Sequence, residues 1–383
     1  MIYELLYPLR ASSGWLGFLN VLRYIPFRTI MAAITAMLAS FLLAPWFIRE
    51  LQRKQIGQVI REVGPAEHKK KAGTPTMGGA LILVSMLVPT VLWADLKNPF
   101  VLATAAVTAG YGVIGYLDDY LKIKHRHSGG LPGRYKLLGQ TVIASLALAY
   151  PFLAKGTSLP ADWVAIRTHL SLPFLAFSKH PIDTPVWFYL PFVVLVVVAT
   201  SNAVNLTDGL DGLAIGPVMI SAGTYLIWAY IAGATFVFQV GTRMLTLPAY
   251  LDIAPNAAGA ELAVYCGALL GSGLGFLWYN TYPAQVFMGD VGSLALGGGL
   301  GMLAVFTKNE LLSALLGGLF VVEALSVITQ VASFKLTGKR IFLMAPIHHH
   351  YEKKGWAEPK IIVRFWIISV LLALISLSSI KLR

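Results

Sequence analysis

The sequence is poor in charged side chains, which make up 13% of its 383 residues, whereas soluble globular domains average about 25%. Hydrophobic residues account for 56%. This composition argues against a soluble fold and indicates an integral membrane protein. The few charges that are present are mostly basic and give a formal net charge of +12. In a membrane protein such an excess reports topology, so nucleic-acid binding is not expected.

Cysteine is almost absent, because Cys266 is the only one in the chain. An internal disulfide is therefore excluded, and neither a thiol-based metal site nor a redox centre is expected. Internal repeats are not visible either. The inverted-repeat signature of many secondary transporters is thus missing from the sequence.

Long apolar runs are plentiful by contrast. A run of about 20 apolar residues spans a bilayer core as a helix, which satisfies its own backbone groups there. The sequence contains about ten such runs and therefore predicts an all-α, polytopic membrane protein that forms one integral membrane domain over residues 1–383. The predicted helices are residues 28–48, 77–96, 99–117, 137–154, 188–204, 213–233, 261–279, 293–307, 311–333 and 361–380.

The distribution of Lys and Arg predicts which side each connection occupies. Ten crossings place both termini on one side of the membrane. Most basic residues of the connections lie in the set formed by 49–76, 118–136, 205–212, 280–292 and 334–360. The positive-inside rule assigns this set to the cytoplasm and both termini to the periplasm. The segments 155–187 and 234–260 become external loops, with room for short hairpins or interfacial helices.

Aspartates are scarce, and five of them fall at predicted cytoplasmic helix ends among Gly, Asn and Thr residues. They are Asp118, Asp119, Asp208, Asp211 and Asp290. Any one of them could be an ordinary acid at the membrane interface. Together they favour a site for a hard cation, and magnesium binds carboxylates, water and substrate phosphates. Asp208 and Asp211 are three residues apart, so a helix would place them on one face.

Basic and imidazole groups are predicted on the same side. Residues 68–79 combine a positive run with small residues that lead into a helix, as in an anion site, although Lys69 and Lys70 also suit a lipid-headgroup anchor. Residues 345–352 contain three consecutive histidines, which can contact a diphosphate.

Glu323 and Gln330 lie on one face of the ninth apolar run, where hydrogen-bonded packing between helices is favoured over a catalytic role. The glycines Gly297–Gly299 and Gly301 predict close helix packing.

Five segments resemble, in order, the motifs of one enzyme family. They are Gly73–Gly79, Asp118–Tyr120, Asn205–Gly212, Phe287–Ser293 and Pro346–His350. The chain resembles the bacterial phospho-N-acetylmuramoyl-pentapeptide transferases, within the polyprenyl-phosphate N-acetylhexosamine-1-phosphate transferase superfamily. The resemblance implies transfer of phospho-MurNAc-pentapeptide from UDP-MurNAc-pentapeptide to undecaprenyl phosphate, which gives lipid I and UMP. It also implies a Mg²⁺ cofactor, a homodimer among membrane lipids, and an active site on the cytoplasmic face of the inner membrane.

The same resemblance assigns residue roles. It implies Asp118, Asp119, Asp290 and His348 as catalytic residues, with the three aspartates also at the metal. Among these, Asp290 resembles the principal magnesium ligand and Asp118 the base. It implies Lys71, Thr76, Asn205, Asp208, Asp211, Asn280, Phe287, Ser293 and His349 as substrate-binding residues, with Phe287 stacked on uracil. Direct attack by the lipid phosphate and a two-step route through an aspartyl phosphate both fit these residues.

Three alternative functions remain at this point. A sister transferase would use UDP-N-acetylglucosamine, but the Gly73–Gly79 and Pro346–His350 segments favour the muramoyl enzyme. A transporter of anionic lipids would carry its acids at mid-membrane, whereas here they cluster at one surface. A membrane scaffold would leave the aspartate clusters without a role.

Overall fold

The computed structural model describes residues 1–11, 14–54, 73–125, 129–154 and 159–380. Within these residues, nine helices are long and apolar enough to cross a membrane. They are α2 (Ile25–Arg53), α4 (Pro99–His125), α5 (Gly133–Leu153), α7 (Val186–Thr207), α8 (Ile215–Ala232), α10 (Leu262–Asn280), α11 (Gly289–Phe306), α13 (Gly318–Thr337) and α15 (Glu358–Ser378). The prediction of an all-α, polytopic membrane protein is confirmed.

The remaining elements are short. The helices are α1 (Ile2–Leu6), α3 (Gly79–Trp93), α6 (Ala161–Ile166), α9 (Leu247–Leu251), α12 (Leu312–Leu316) and α14 (Ile347–Lys353), with 3₁₀ helices at Tyr7–Ala11, Gly14–Arg23 and Ala258–Glu261. Two antiparallel strand pairs lie in the predicted external loops. Strand β1 (His169–Leu170) pairs with β2 (Ile182–Asp183), and β3 (Val237–Val240) pairs with β4 (Arg243–Thr246). The pair β3–β4 is a short hairpin of the kind that the sequence leaves room for in these loops.

Three of the ten predicted helices differ clearly from expectation. The second, predicted over 77–96, is α3, whose 15 residues extend about 22 Å, less than the roughly 30 Å of a bilayer core. It begins late because the backbone of Gly78 is hydrogen-bonded to Phe287 instead of continuing a helix upstream. The third, predicted over 99–117, is α4, which continues to His125 and therefore includes Asp118 and Asp119. The ninth, predicted over 311–333, is divided at Gly317 into α12 and α13. The side on which each terminus lies stays a prediction.

The centre of the bundle is formed by α10 and α11. Helix α10 packs against α2 and α8, and α11 packs against α4 and α7. Every residue of α11 from Val291 to Phe306 is buried. A Cβ atom on Gly297 would lie 2.6 Å from Cα of Ser201, and one on Gly301 would lie 2.7 Å from Cα of Val197. These contacts confirm that the glycines allow close helix packing.

Buried ion pairs tie the helices together at one end of the bundle. Arg28 near the start of α2 pairs with Glu261, which immediately precedes α10. Lys308, just beyond α11, lies 3.1 Å from Glu310, and both side chains are fully buried. Since α10 and α11 run in opposite directions, the aspartates at the start of α11 belong to the other end of the bundle.

Candidate active site

Three aspartates meet at that other end. Asp118 and Asp119 lie near the end of α4, and Asp290 lies in the first turn of α11. One carboxylate oxygen of each residue lies within 4.8 Å of the others. Asp118 and Asp119 are buried, while the Asp290 side chain is 15% exposed. The predicted carboxylate cluster therefore exists, and its oxygens are of the kind that hold a hard cation.

Glycines allow α4 and α11 to approach closely enough to form this cluster. A Cβ atom on Gly115, one turn before Asp119, would clash with the backbone oxygen of Asp290. Gly289 has a φ of +70°, which favours glycine, and a Cβ atom there would lie 2.6 Å from Oδ2 of Asp119. The backbone N–H of Val291 donates to the same Oδ2 at 3.3 Å. The start of α11 is thus fixed against Asp119.

Two lysines that the sequence interpretation missed neutralise part of the cluster. Nζ of Lys122 lies 2.5 Å from Oδ2 of Asp118 and 3.2 Å from Oδ2 of Asp290. Nζ of Lys136, in the first turn of α5, lies 2.9 Å from Oδ1 of Asp118 and 2.7 Å from Oδ2 of Asp290. The formal charge of three carboxylates exceeds that of the two ammonium groups by one. The i, i+4 spacing of Asp118 and Lys122 was the one sequence signal for either lysine.

Asn205 and Ser293 join the cluster through Asp290. Nδ2 of Asn205, near the end of α7, donates to Oδ1 of Asp290 at 3.0 Å and to Oγ of Ser293 at 2.8 Å. The Ser293 hydroxyl donates to the backbone oxygen of Gly289 at 3.0 Å. Asn205 and Ser293 therefore lie where the sequence placed them, beside the aspartates. Their observed partners are protein groups, and their contact with substrate stays a prediction.

Asp208 and Asp211 lie in the connection predicted over 205–212, so they do not share one face as residues three apart on a helix would. Helix α7 ends at Thr207 and α8 begins at Ile215, which leaves both acids in the connecting turn. Burial raises the pKa of Asp208 well above its usual range, and the negative charges of Asp290 and Asp119 raise it further. The Gly-Leu-Asp-Gly sequence favours a turn over a continued helix, which is the physical reason for the difference.

Asp211 and Asn280 hold the loop that leads into α11. Oδ2 of Asp211 accepts a hydrogen bond from the backbone N–H of Ala284 at 3.0 Å. Nδ2 of Asn280 donates to the backbone oxygen of Val286 at 2.8 Å. Both side chains are buried. Their visible contacts position the segment between α10 and α11, and their role in substrate binding stays a prediction.

The Gly73–Gly79 and Phe287–Ser293 segments pair through their backbones. The N–H of Phe287 donates to the oxygen of Pro75, and the N–H of Gly78 donates to the oxygen of Phe287, both at 2.8 Å. Thr76 lies within this pairing, and a Cβ atom on Gly289 would be 3.0 Å from its Oγ1. Phe287 is half-buried at the edge of the cluster. Lys71 lies outside the described residues.

The histidine segment forms α14 and packs against the turn that contains Asp208. His348 is fully buried, with Nδ1 3.1 Å from Oε1 of Glu323 on α13. A Cβ atom on Gly209 would clash with Nε2 of His348. Nδ1 of His349 lies 2.5 Å from Oε2 of Glu352. Glu323 thus packs between helices against His348, as expected, but without the expected hydrogen bond, and catalysis by His348 stays a prediction.

Gln330 also acts within the protein. Its Nε2 donates to the backbone oxygen of Phe342 at 3.0 Å, and its Oε1 accepts from the N–H groups of Ile341 and Phe342. It therefore anchors the segment between α13 and α14. A cavity of about 700 Å³ lies between these elements. Its lining combines apolar residues of α13 with Lys335, Arg340 and Lys353.

The chain is similar to known proteins along its whole length. Residues 101–308 match the family described as Glycosyl transferase family 4, and residues 71–83 match the phospho-N-acetylmuramoyl-pentapeptide-transferase signature 1. A phospho-N-acetylmuramoyl-pentapeptide-transferase of Sorangium cellulosum is 74% identical over 383 residues. Proteins with the same name from Pelobacter propionicus and Anaeromyxobacter sp. (strain Fw109-5) are 53% and 55% identical. Each alignment covers 100% of both chains.

Proposed function

This chain belongs to the phospho-N-acetylmuramoyl-pentapeptide transferase family, and we propose that its reaction takes place at Asp118, Asp119 and Asp290. The enzyme serves peptidoglycan synthesis by transferring phospho-MurNAc-pentapeptide to a polyprenyl phosphate, which forms lipid I. The observation that supports the location is the meeting of three carboxylates and two lysines at one end of the bundle. The proposal requires that a soluble nucleotide and a lipid phosphate both reach this position.

The chemistry of the donor set suits Mg²⁺. Three carboxylates offer hard oxygen ligands, and the cluster keeps one more negative charge than Lys122 and Lys136 supply. Asp290 is the proposed principal ligand, since its side chain is the most exposed of the three. When bound, the ion would neutralise the diphosphate and polarise the phosphorus that is attacked. Asn205 holds Oδ1 of Asp290 and so fixes the direction of its carboxylate.

Lys122 and Lys136 contribute positive charge at fixed positions. Each ammonium group contacts both Asp118 and Asp290. We assign to them stabilisation of negative charge on the phosphates during transfer. Asp118 forms ion pairs with both lysines, and its Oδ1 accepts a hydrogen bond from the backbone N–H of Leu131 at 2.6 Å. These contacts fix its carboxyl group beside Asp290, and we assign to it the role of base or attacking carboxylate.

The proposed lipid substrate is undecaprenyl phosphate, and the cavity between α13 and α14 has the chemistry to receive it. Apolar side chains such as Val327 and Val331 suit an isoprenoid chain, while Lys335 and Arg340 suit a phosphate. We place this face of the bundle in the cytoplasm of a bacterium, at the inner membrane, because basic residues are concentrated there. We also propose a homodimer, on family resemblance alone.

The nucleotide substrate is proposed to be UDP-MurNAc-pentapeptide. Thr76, Asp208, Asp211, Asn280, Phe287 and His349 remain the proposed nucleotide-site residues, together with Lys71. The full-length identity to transferases named for the muramoyl pentapeptide favours this substrate over UDP-N-acetylglucosamine. The same identity leaves no support for a transporter or a scaffold.

Release of UMP tests the proposal directly. Purified protein is incubated with UDP-MurNAc-pentapeptide, undecaprenyl phosphate and Mg²⁺, and the UMP and lipid products are quantified. We expect turnover with the muramoyl nucleotide, none with UDP-N-acetylglucosamine, and loss of turnover in EDTA that added Mg²⁺ restores. Full activity in EDTA would refute the metal site. Equal use of both nucleotides would refute the substrate.

A further inference from the structure

A buried polar layer lies one helical turn deeper in the bundle than the aspartate cluster. Gln140 of α5 is fully buried, and its Nε2 donates to Oγ of Ser201 on α7 at 3.0 Å. Nδ2 of Asn202 donates to Oε1 of Gln140 at 2.8 Å. The Ser201 hydroxyl donates in turn to the backbone oxygen of Leu294 on α11 at 2.8 Å. We call Gln140, Ser201 and Asn202 the polar layer.

The polar layer involves the same helices as the site around Asp290, one turn further into the bundle on each helix. Gln140 follows Lys136 by four residues on α5, so the two side chains lie on the same face one turn apart. Ser201 precedes Asn205 by four residues on α7. Leu294 follows Asp290 by four residues on α11. Each helix that supplies a group to Asp290 is therefore linked to the others one turn below.

A fourth helix joins the same layer. The Tyr111 hydroxyl of α4 donates to the backbone oxygen of Gln140 at 2.9 Å. Tyr111 precedes Asp118 by seven residues, which is two turns on the same face. Gln140 thus connects α4, α5 and α7 directly and reaches α11 through Ser201. Polar side chains inside a membrane bundle are costly unless they bond to each other, and here both ends of the Gln140 amide are used.

We infer that Gln140 is a positioning residue for the metal site. It fixes the rotation and depth of α5 and α7 so that Lys136 and Asn205 both reach Asp290. The inference rests on the proposed function, because it assumes that Asp290 binds the metal. Helix packing alone would stabilise the bundle without affecting metal affinity, and this difference makes the inference testable.

The test measures Mn²⁺ binding and unfolding on the same variants. Gln140→Met keeps an unbranched side chain of similar length and removes both amide hydrogen bonds. Mn²⁺ binding to purified protein is followed by electron paramagnetic resonance, with Asp290→Asn as the background, and melting temperature is recorded in EDTA. The matched control is Tyr265→Phe, which removes the buried 2.7 Å hydrogen bond between Tyr265 and Thr108 away from the layer.

We expect Gln140→Met to raise the Mn²⁺ dissociation constant about three- to tenfold, the size expected for a lost buried hydrogen bond. The metal concentration for half-maximal turnover should rise by the same factor. Tyr265→Phe should leave both values unchanged. Ser201→Ala should resemble Gln140→Met, and the double variant should be no worse than the worse single variant, since both act through one connection.

Wild-type Mn²⁺ affinity in Gln140→Met, with or without a lower melting temperature, would overturn the inference. If Gln140→Met does not fold, Ser201→Ala carries the same comparison, and wild-type affinity there would overturn it equally. Absence of Mn²⁺ binding above the Asp290→Asn background in the wild-type protein would refute the proposed metal site itself. That outcome differs from one in which the wild-type protein binds Mn²⁺ and Gln140→Met binds it equally tightly.

Discussion

Nε2 of His348 faces Gly209 so closely that the glycine has no room for a Cβ atom, while Nδ1 of the same ring lies 3.1 Å from Oε1 of Glu323. The imidazole therefore connects α13 to the turn that follows α7. Asp208 is the neighbour of Gly209 in that turn. The position of Asp208 consequently depends on a histidine that is itself fully buried.

Gly209→Ala should displace either His348 or the turn. We expect overpacking to lower the free energy of unfolding by about 1–3 kcal/mol. Turnover should fall about tenfold or more, because small displacements of site residues slow a reaction by such factors. Gly223→Ala on α8 is the matched control, because a Cβ atom there has no neighbour within 4 Å. Thermal unfolding and UMP release measure the two effects. Wild-type turnover of Gly209→Ala would show that the contact has no bearing on the reaction.

Asp290→Asn should lower turnover at least about a hundredfold while the protein still folds, because an amide keeps the shape of the carboxylate but not its charge at a metal. Asp252→Asn, directly after α9, is the control for removing a carboxylate far from the site. Steady-state UMP release is the measurement. Near-normal turnover would make Asp290 a structural residue.

Lys136→Met should lower turnover by about a hundredfold or more, because it removes a charge that contacts both Asp118 and Asp290. Without metal, it also leaves excess negative charge in a poorly solvated place. The variant should therefore melt below the wild type in EDTA, and Mg²⁺ should raise its melting temperature more than that of the wild type. The exposed Lys97→Met is the control. Equal stabilisation of both proteins by Mg²⁺ would contradict the electrostatic argument.

Membrane sidedness can be measured by cysteine labelling. The native Cys266 is buried and should not react. A cysteine replacing the exposed Lys339, between α13 and α14, should react with an impermeant maleimide only from the cytoplasmic side. A cysteine replacing the exposed Thr242, in the turn between β3 and β4, should react only from the periplasmic side. Labelling of both positions from one side would contradict the proposed orientation.

The sequence predicted the membrane class and the meeting of Asp118, Asp119 and Asp290 because apolar run length and scarce acids are local signals. It missed Lys136, because lysines are common at the cytoplasmic ends of membrane helices whether or not they have a role in a site. It assigned Asp208 and Asp211 to the connection over 205–212, but it did not predict the contact of this turn with α14. Burial of His348 against Gly209 brings together residues far apart in the chain, which no local pattern encodes.

The enclosure of α11 keeps the helix that carries Asp290 out of direct contact with the bilayer. Lipid touches the outer helices, whereas α11 is surrounded by protein along its whole length after Asp290. A change in acyl-chain order or bilayer thickness acts first on the peripheral helices. It does not act directly on α11, which carries Asp290. A disturbance of the bilayer therefore reaches Asp290 only through the other helices, such as α5, which carries Lys136.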